Sequence, residues 1–337
     1  MGFRPLRARS CRSASCGVAV LPRNRACLDS LTMSIANEEL FLRLRPRLVA
    51  IGYRMLASVQ EAEDLAQDAW LRWHEEVEVS GAEVAKPEAW LVTVTTRMAI
   101  DRLRTAKIRR EAYPGLWLPE PLLMEEPTTP EKARELADDV SFAFLVLLDC
   151  LSPESRAAFL LREVFDADYD QIAAAIGKSE AAARQVVHRA KQRVAKARSS
   201  IGNQAPPRPQ EQLDLLQRLV QAISKGNFSD IQALLAEEAQ FLSDFGDIVP
   251  RLAKPLVGGR RIAQMYLASQ LRHGTNMRFD LTRLNGEWAL LRYVGDALDS
   301  VQMFEIQDGR IARVRLQRNP EKLHHLEHLA HRQRQMA

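Results

Sequence analysis

The stretch 152–198, "SPESRAAFLLREVFDADYDQIAAAIGKSEAAARQVVHRAKQRVAKAR", decides how the chain is read. Its apolar positions recur three and four apart, which predicts a helix over 153–165, a short helix over about 169–176 and a long one beginning at Ser179. Gly177 supplies the backbone freedom of a tight turn, Ser179 can cap the helix that follows, and Glu180 sits well in its first turn. Ile172, Ile176, Val186, Val187 and Ala190 are spaced to pack the two helices together. This is a helix-turn-helix pattern. Its second helix exposes Arg184, Gln185, His188, Arg189, Lys191 and Arg193, side chains suited to base edges and phosphates, so the stretch predicts DNA binding. No second ligand stands at helical spacing from His188, and no metal site is expected there.

Outward from this stretch, composition sets bounds. At 337 residues, 46% hydrophobic and 27% charged, the chain can build two or three modest cores. A net charge of +4 is too small to make a nucleic-acid surface by itself, so any such surface needs local segregation of charge. That segregation is present upstream. The helical pattern over 59–77 carries Glu61, Glu63, Asp64, Asp68, Glu75 and Glu76. The next helix, over 89–110, begins apolar with Trp90, Leu91, Val94, Met98 and Ile100. It ends with Arg97, Arg102, Arg104, Lys107, Arg109 and Arg110 against one acid, Asp101. Complementing a helix dipole needs fewer cations, so the run predicts a phosphate-tracking surface. The apolar run 142–148 is far shorter than the roughly 20 residues of a membrane span, and a soluble, cytoplasmic protein is expected.

Residues 1–32 hold six arginines, one acid and three of the four cysteines, with no apolar signal core and no paired CxxC. They read as an unstructured basic extension, with Met33 opening the first helix. Cys150 lies in an apolar helix and reads as core packing in a reducing compartment. The connector "PGLWLPEPLLMEEPTTPEK" (114–132) is rich in both proline and large apolar groups. A plain spacer is not, so a cover for Trp117 and Leu118 is expected.

After a Ser/Pro-rich linker at 199–210, the pattern changes. Residues 211–236 give two helices, 258–272 a third. The segments 277–294 and 300–317 alternate like strands about Asn285-Gly286 and Asp308-Gly309 hairpin turns. Helices followed by antiparallel strands predict an α+β cone. Asp244, Asp247 and His273 are the residues there that could act as acid or base, but no nucleophile, metal cluster or carboxylate pair stands at a telling spacing. They read as surface or turn residues, and no catalytic role and no cofactor are expected.

"AEDLAQDAWLRW", "PEAWLVTVTTRMAIDRLR" and the 151–194 segment together resemble regions two and four of bacterial extracytoplasmic-function sigma factors. The cone resembles the SnoaL-like domain fused to one class of them. That class carries a "WLPEP" linker, here Trp117, Leu118, Pro119, Glu120 and Pro121. It also carries an "NPDKL"-type motif, here Asn319, Pro320, Glu321, Lys322 and Leu323. Its Gly-rich Asp motif early in the cone is absent, replaced by "LSDFGDIVPRL".

The resemblance implies two all-α domains, region 2 at 34–112 and a helix-turn-helix region 4 at 132–198. A linker at 113–131 joins them, and a SnoaL-like domain at 211–327 follows. It implies core RNA polymerase, through its beta-prime and beta subunits, and promoter DNA as partners, without a membrane or a separate anti-sigma protein; a small molecule could bind the cone. Asp64, Leu65, Asp68 and Trp70 would face polymerase. Arg97 to Arg110 would hold the upstream edge of melted minus-ten DNA, with the loop 78–88 taking a flipped base. Ser179, Arg184, Gln185, His188, Arg189, Lys191 and Arg193 would meet the minus-thirty-five element. The linker is expected to dock on the cone, with Lys322 reaching Glu120. A ligand-sensing repressor that works without polymerase, and a small-molecule isomerase or cyclase, are the other readings; a repressor has no need of the acidic helix.

Overall fold

The computed structural model describes residues 24–111, 113, 115–123, 141–201, 208–246 and 254–327; the side chain of Arg109 lies outside what is described. The first helix, α1, runs Asn24–Leu56. It starts before the expected boundary at Met33, because residues 24–32 contain no glycine or proline to end a helix. α2, Val59–His74, is capped by Ser58, whose hydroxyl accepts from the Glu61 amide. One π turn, Glu75–Val79, extends it into the expected loop. α3, Pro87–Glu111, opens on a proline, which suits a first helical position. Leu48, Ile51, Leu65, Ala69, Trp73, Leu91 and Ile100 are buried and form the core of this domain. Trp73 meets Trp90 edge to face at 5.4 Å.

The second helical domain contains α4 (Phe142–Leu147), a 3-10 turn at Leu148–Cys150, α5 (Pro153–Glu163), α6 (Tyr169–Ile176) and α7 (Glu180–Ile201). Residues 132–140 of the helix expected before Cys150 lie outside the described residues. Cys150 itself is exposed on the 3-10 turn rather than packed in a core. α6 ends at Gly177 with φ of +66°, and the Ser179 hydroxyl accepts from the Ala182 amide to begin α7. Ile172, Ile176, Val187 and Ala190 are buried between the helices. The helix-turn-helix therefore forms as its turn and cap residues dictate.

The C-terminal domain starts with α8 (Pro209–Ser224) and α9 (Phe228–Leu234) and adds α10 (Gly259–His273). Its strands are β1 (Leu235–Asp244), β2 (Leu256–Val257), β3 (Met277–Leu284), β4 (Glu287–Val294), β5 (Ala297–Gln307) and β6 (Arg310–Gln317). They form one sheet in the order β2-β1-β6-β5-β4-β3. Asn285 and Asp308 take φ of +51° and +49° ahead of Gly286 and Gly309, as the expected two-residue hairpin turns require. A third tight turn joins β4 to β5 at Gly295-Asp296. β1 and β2 were not expected; β1 lies parallel to β6, and β2 pairs antiparallel with β1 at the edge of the sheet.

Each face of the sheet has its own cover. Leu290, Phe304, Val314 and Leu316 pack against α8, α9 and α10, which close the interior with Leu216, Leu219, Ile262 and Tyr266. Leu291, Tyr293, Val301 and Met303 face the other way, onto Leu118 of the connector, Phe142 of α4, Leu323 and Leu326. The α+β fold thus buries both sides of its sheet, one of them against segments of the helical domains.

Candidate nucleic-acid and interdomain interfaces

The connector explains its own greasiness. Leu118 is 2% exposed in the core on the outer face of the sheet, and Trp117 is half-buried between two cations. The Arg110 guanidinium stacks 3.3 Å from the indole centroid and the Lys322 ammonium lies 4.3 Å away. The backbone is held as firmly. Asp244, wholly buried at the end of β1, accepts from the Leu118 amide at 2.9 Å, the Tyr113 hydroxyl at 2.5 Å and Lys322 Nζ at 2.7 Å. Lys322 also donates to the Leu118 carbonyl at 2.8 Å, and Gln317 Nε2 bonds the Leu118 and Pro119 carbonyls at 3.2 and 3.1 Å. Asn319 accepts from the Glu321 amide and shapes the 3-10 turn at Pro320–Lys322.

Two expectations are corrected here. Asp244 is not a surface acid: it is the counter-ion at the centre of the docked linker. Burial alone would raise its carboxyl, but the Lys322 charge and the donors around it hold it below the ordinary carboxylate value. For Lys322, burial outweighs the pull of Asp244 and lowers the ammonium. The partner of Lys322 is Asp244 rather than Glu120. Glu120 is turned toward the first domain, where its carboxylate accepts from the Val59 amide at 2.7 Å and completes the N-terminal cap of α2. The Tyr53 hydroxyl donates to the Glu120 carbonyl at 2.7 Å and accepts from Asn285 Nδ2 at 2.7 Å. Pro121 meets His325 Nε2 at 2.8 Å through its carbonyl. "WLPEP" and "NPEKL" therefore meet, with Asp244 between them.

On α7, Gln185, His188, Arg189 and Arg193 are exposed. Arg184 is held by Glu180 at 3.1 Å and lies 4.3 Å over the Tyr169 ring. His188 Nε2 lies 3.0 Å from Gln192. Lys191 turns back to Glu163 of α5 at 2.8 Å. Ser179 serves as the cap.

The basic half of α3 is largely engaged. Arg97 donates to the Ala174 carbonyl of α6, Arg102 to the Glu61 carbonyl and to Asp68, Arg104 to Asp101 and Glu154, and Arg110 to the Leu56 carbonyl. Lys107 is exposed. On α2, Asp64 is exposed and Trp70 partly so, whereas Leu65 is 0% exposed and supports the helix from within the core. Leu71, 56% exposed, shares the outer face with Asp64 and Asp68, a residue the sequence reading did not single out.

Asp247 lies outside the described residues, and His273 is half-buried at the end of α10. Among the described residues no group of three or more His, Cys, Asp or Glu is placed to hold a metal ion. No helix among them is long and apolar enough to cross a membrane.

Residues 40–108 match the Sigma-70 region 2 family and residues 141–194 the Sigma-70 region 4 family. Over 250 residues, 73% of this chain and 78% of the relative, the sequence is 35% identical to the ECF RNA polymerase sigma factor SigJ of Mycobacterium tuberculosis. The chain belongs to the extracytoplasmic-function sigma factors. A second relative, the probable ECF RNA polymerase sigma factor SigI of the same species, is 27% identical over 83% of this chain and 92% of its own length. The crystal structure of the Mycobacterium tuberculosis sigma factor SigJ superposes with a TM-score of 0.65 at 29% identity. That superposition covers 85% of this chain and 97% of the other, so the likeness extends through the C-terminal SnoaL-like domain. As a sigma factor, the chain works with RNA polymerase and promoter DNA, and α1–α3 and α4–α7 are its regions 2 and 4.

Proposed function

We propose that this sigma factor directs core polymerase to its promoters under control of its own C-terminal domain, which holds the WLPEP linker in place of a separate anti-sigma protein. In this reading region 2 occupies 34–112, region 4 132–198 and the regulatory domain 211–327. The outer face of α2 meets the beta-prime subunit, the basic half of α3 follows the minus-ten strand, and α7 reads the minus-thirty-five groove. The cytoplasm is where these partners are. One observation carries the regulatory part: the linker joining the two promoter-reading regions is buried in the C-terminal domain through the Asp244–Lys322 pair, and nothing in a plain spacer would require that. The same observation weighs against turnover, because Asp244, an acid fully buried in that domain, is committed to the linker. Purified chain added to core polymerase, with transcription starts mapped on genomic DNA, tests the reading. Starts sharing a minus-ten and a minus-thirty-five sequence are expected; transcription no greater than with core enzyme alone would overturn it.

A further inference from the structure

We propose that region 4 itself occupies three of the promoter-facing cations of α3, Arg97, Arg104 and Arg110, its carboxylates and helix-end carbonyls standing where DNA phosphates would bind, so that the free chain is hindered from taking minus-ten DNA. The inference rests on the proposed DNA role of α3 and adds what blocks it. Arg97 sends Nε and Nη2 to the Ala174 carbonyl at 3.2 and 2.7 Å, at the C-terminal end of α6, where helix carbonyls carry partial negative charge. Arg104 pairs with Glu154 in the first turn of α5. Arg110 reaches Asp149, just before that helix, at 3.4 Å. A guanidinium takes a carboxylate and a phosphate through the same fork of N–H donors, so one ligand excludes the other.

These acids are not loose surface groups. Asp149 is tied at 2.9 Å to Arg156, which is 1% exposed and donates Nε at 3.0 Å to the Arg54 carbonyl of region 2. A buried cation of region 4 thus fixes both the domain contact and the carboxylate presented to α3. Geometry makes the arrangement incompatible with a full promoter. Elements roughly 25 base pairs apart lie about 85 Å apart along a duplex that rises 3.4 Å per pair, whereas α3 and α6 here touch. The ion pairs between α3 and region 4 are partly exposed and screened by salt, so each is weak enough for polymerase or a polyanion to displace.

The test is Glu154→Gln in the full chain without polymerase, with affinity for a labelled minus-ten fork junction measured at low salt. Asp149 is left intact because Arg156 depends on it, and Ser152, not Glu154, caps α5, so the variant keeps its fold. Roughly two- to fivefold tighter binding is expected, the scale of one partly exposed ion pair. The gain should vanish when Arg104→Ala is made in both backgrounds. Unchanged affinity, or a gain that persists without Arg104, would overturn the proposal. Loss of promoter-specific transcription by the unaltered chain with core polymerase would instead sink the sigma reading of α3.

Discussion

Lys322 shows how one buried cation can hold an interdomain contact. Its ammonium neutralises Asp244 and ties down the Leu118 carbonyl, both away from water. In Lys322→Met the carboxylate keeps its burial and loses its counter-ion, which should cost about 3–5 kcal/mol. The pH dependence should change sign as well. In the parent the Asp244 carboxyl is lowered, so its contribution is fully present above its ordinary pKa of 3.8 and is lost as pH falls through the lower folded value. In the variant that carboxyl is raised, and stability should fall as pH rises through the raised value. Thermal melts from pH 5 to pH 8, falling with rising pH for the variant relative to the parent, check both points. The α7 side chains proposed to meet the minus-thirty-five element make a separate residue-scale case. Arg184 sits in the first turns of α7, preset by Glu180 and Tyr169, and Arg193 lies two turns further along. Arg184→Ala should cost about 1–3 kcal/mol at one base pair, whereas Arg193→Ala should weaken every sequence alike. Equal losses across a panel of single-base promoter variants would defeat the assignment.

At the scale of elements, legibility followed local chemistry. The helix-turn-helix could be read because Gly177, Ser179 and the Ile172–Ile176–Val187 stripe act within a few residues of one another. The two hairpins could be read because Asn-Gly and Asp-Gly specify their turn. β1 could not: "LAEEAQFLSD" carries three acids, and a register shift between Leu235 and Gln240 breaks the two-residue alternation. With β1 unseen, nothing told which face of Asp244 would be covered, and it read as a surface acid. The face of α2 proposed to meet polymerase shows what a repeat can and cannot tell. A helical repeat marks α2 as acidic, but only the packed structure shows that Leu65 points inward and Leu71 outward. Leu71→Ala should therefore weaken binding to core polymerase by about 1–2 kcal/mol while leaving the melting temperature unchanged. Leu65→Ala should do the reverse, costing about 2–5 kcal/mol of stability as a cavity in the core. Titration of labelled polymerase alongside thermal melts separates the two; loss of stability in Leu71→Ala would place that side chain in the core.

For the whole molecule, the question is what removing the C-terminal domain would release. Truncation after residue 199 deletes Asp244, Gln317 and Lys322, so the linker loses its hydrogen bonds and its ionic partner together. The outer face of the sheet goes too, leaving Leu118 and Phe142, both buried in the full chain, open to water. The first effect frees the linker and leaves the direct contacts of α3 and Arg54 with α5, α6 and Asp149 to hold regions 2 and 4 together; the second makes the shortened chain prone to associate. α2 keeps its core, its Ser58 cap and its exposed Asp64 and Leu71, none of which the deleted domain supplies. The truncated chain is therefore expected to bind core polymerase at least as tightly as the full one, and to need low concentration to stay monomeric. Fluorescence titration against core enzyme, with light scattering to follow association, measures both. Weaker binding by monomeric truncated chain would mean that the C-terminal domain forms part of the polymerase interface. It could not then be only a clamp on the linker.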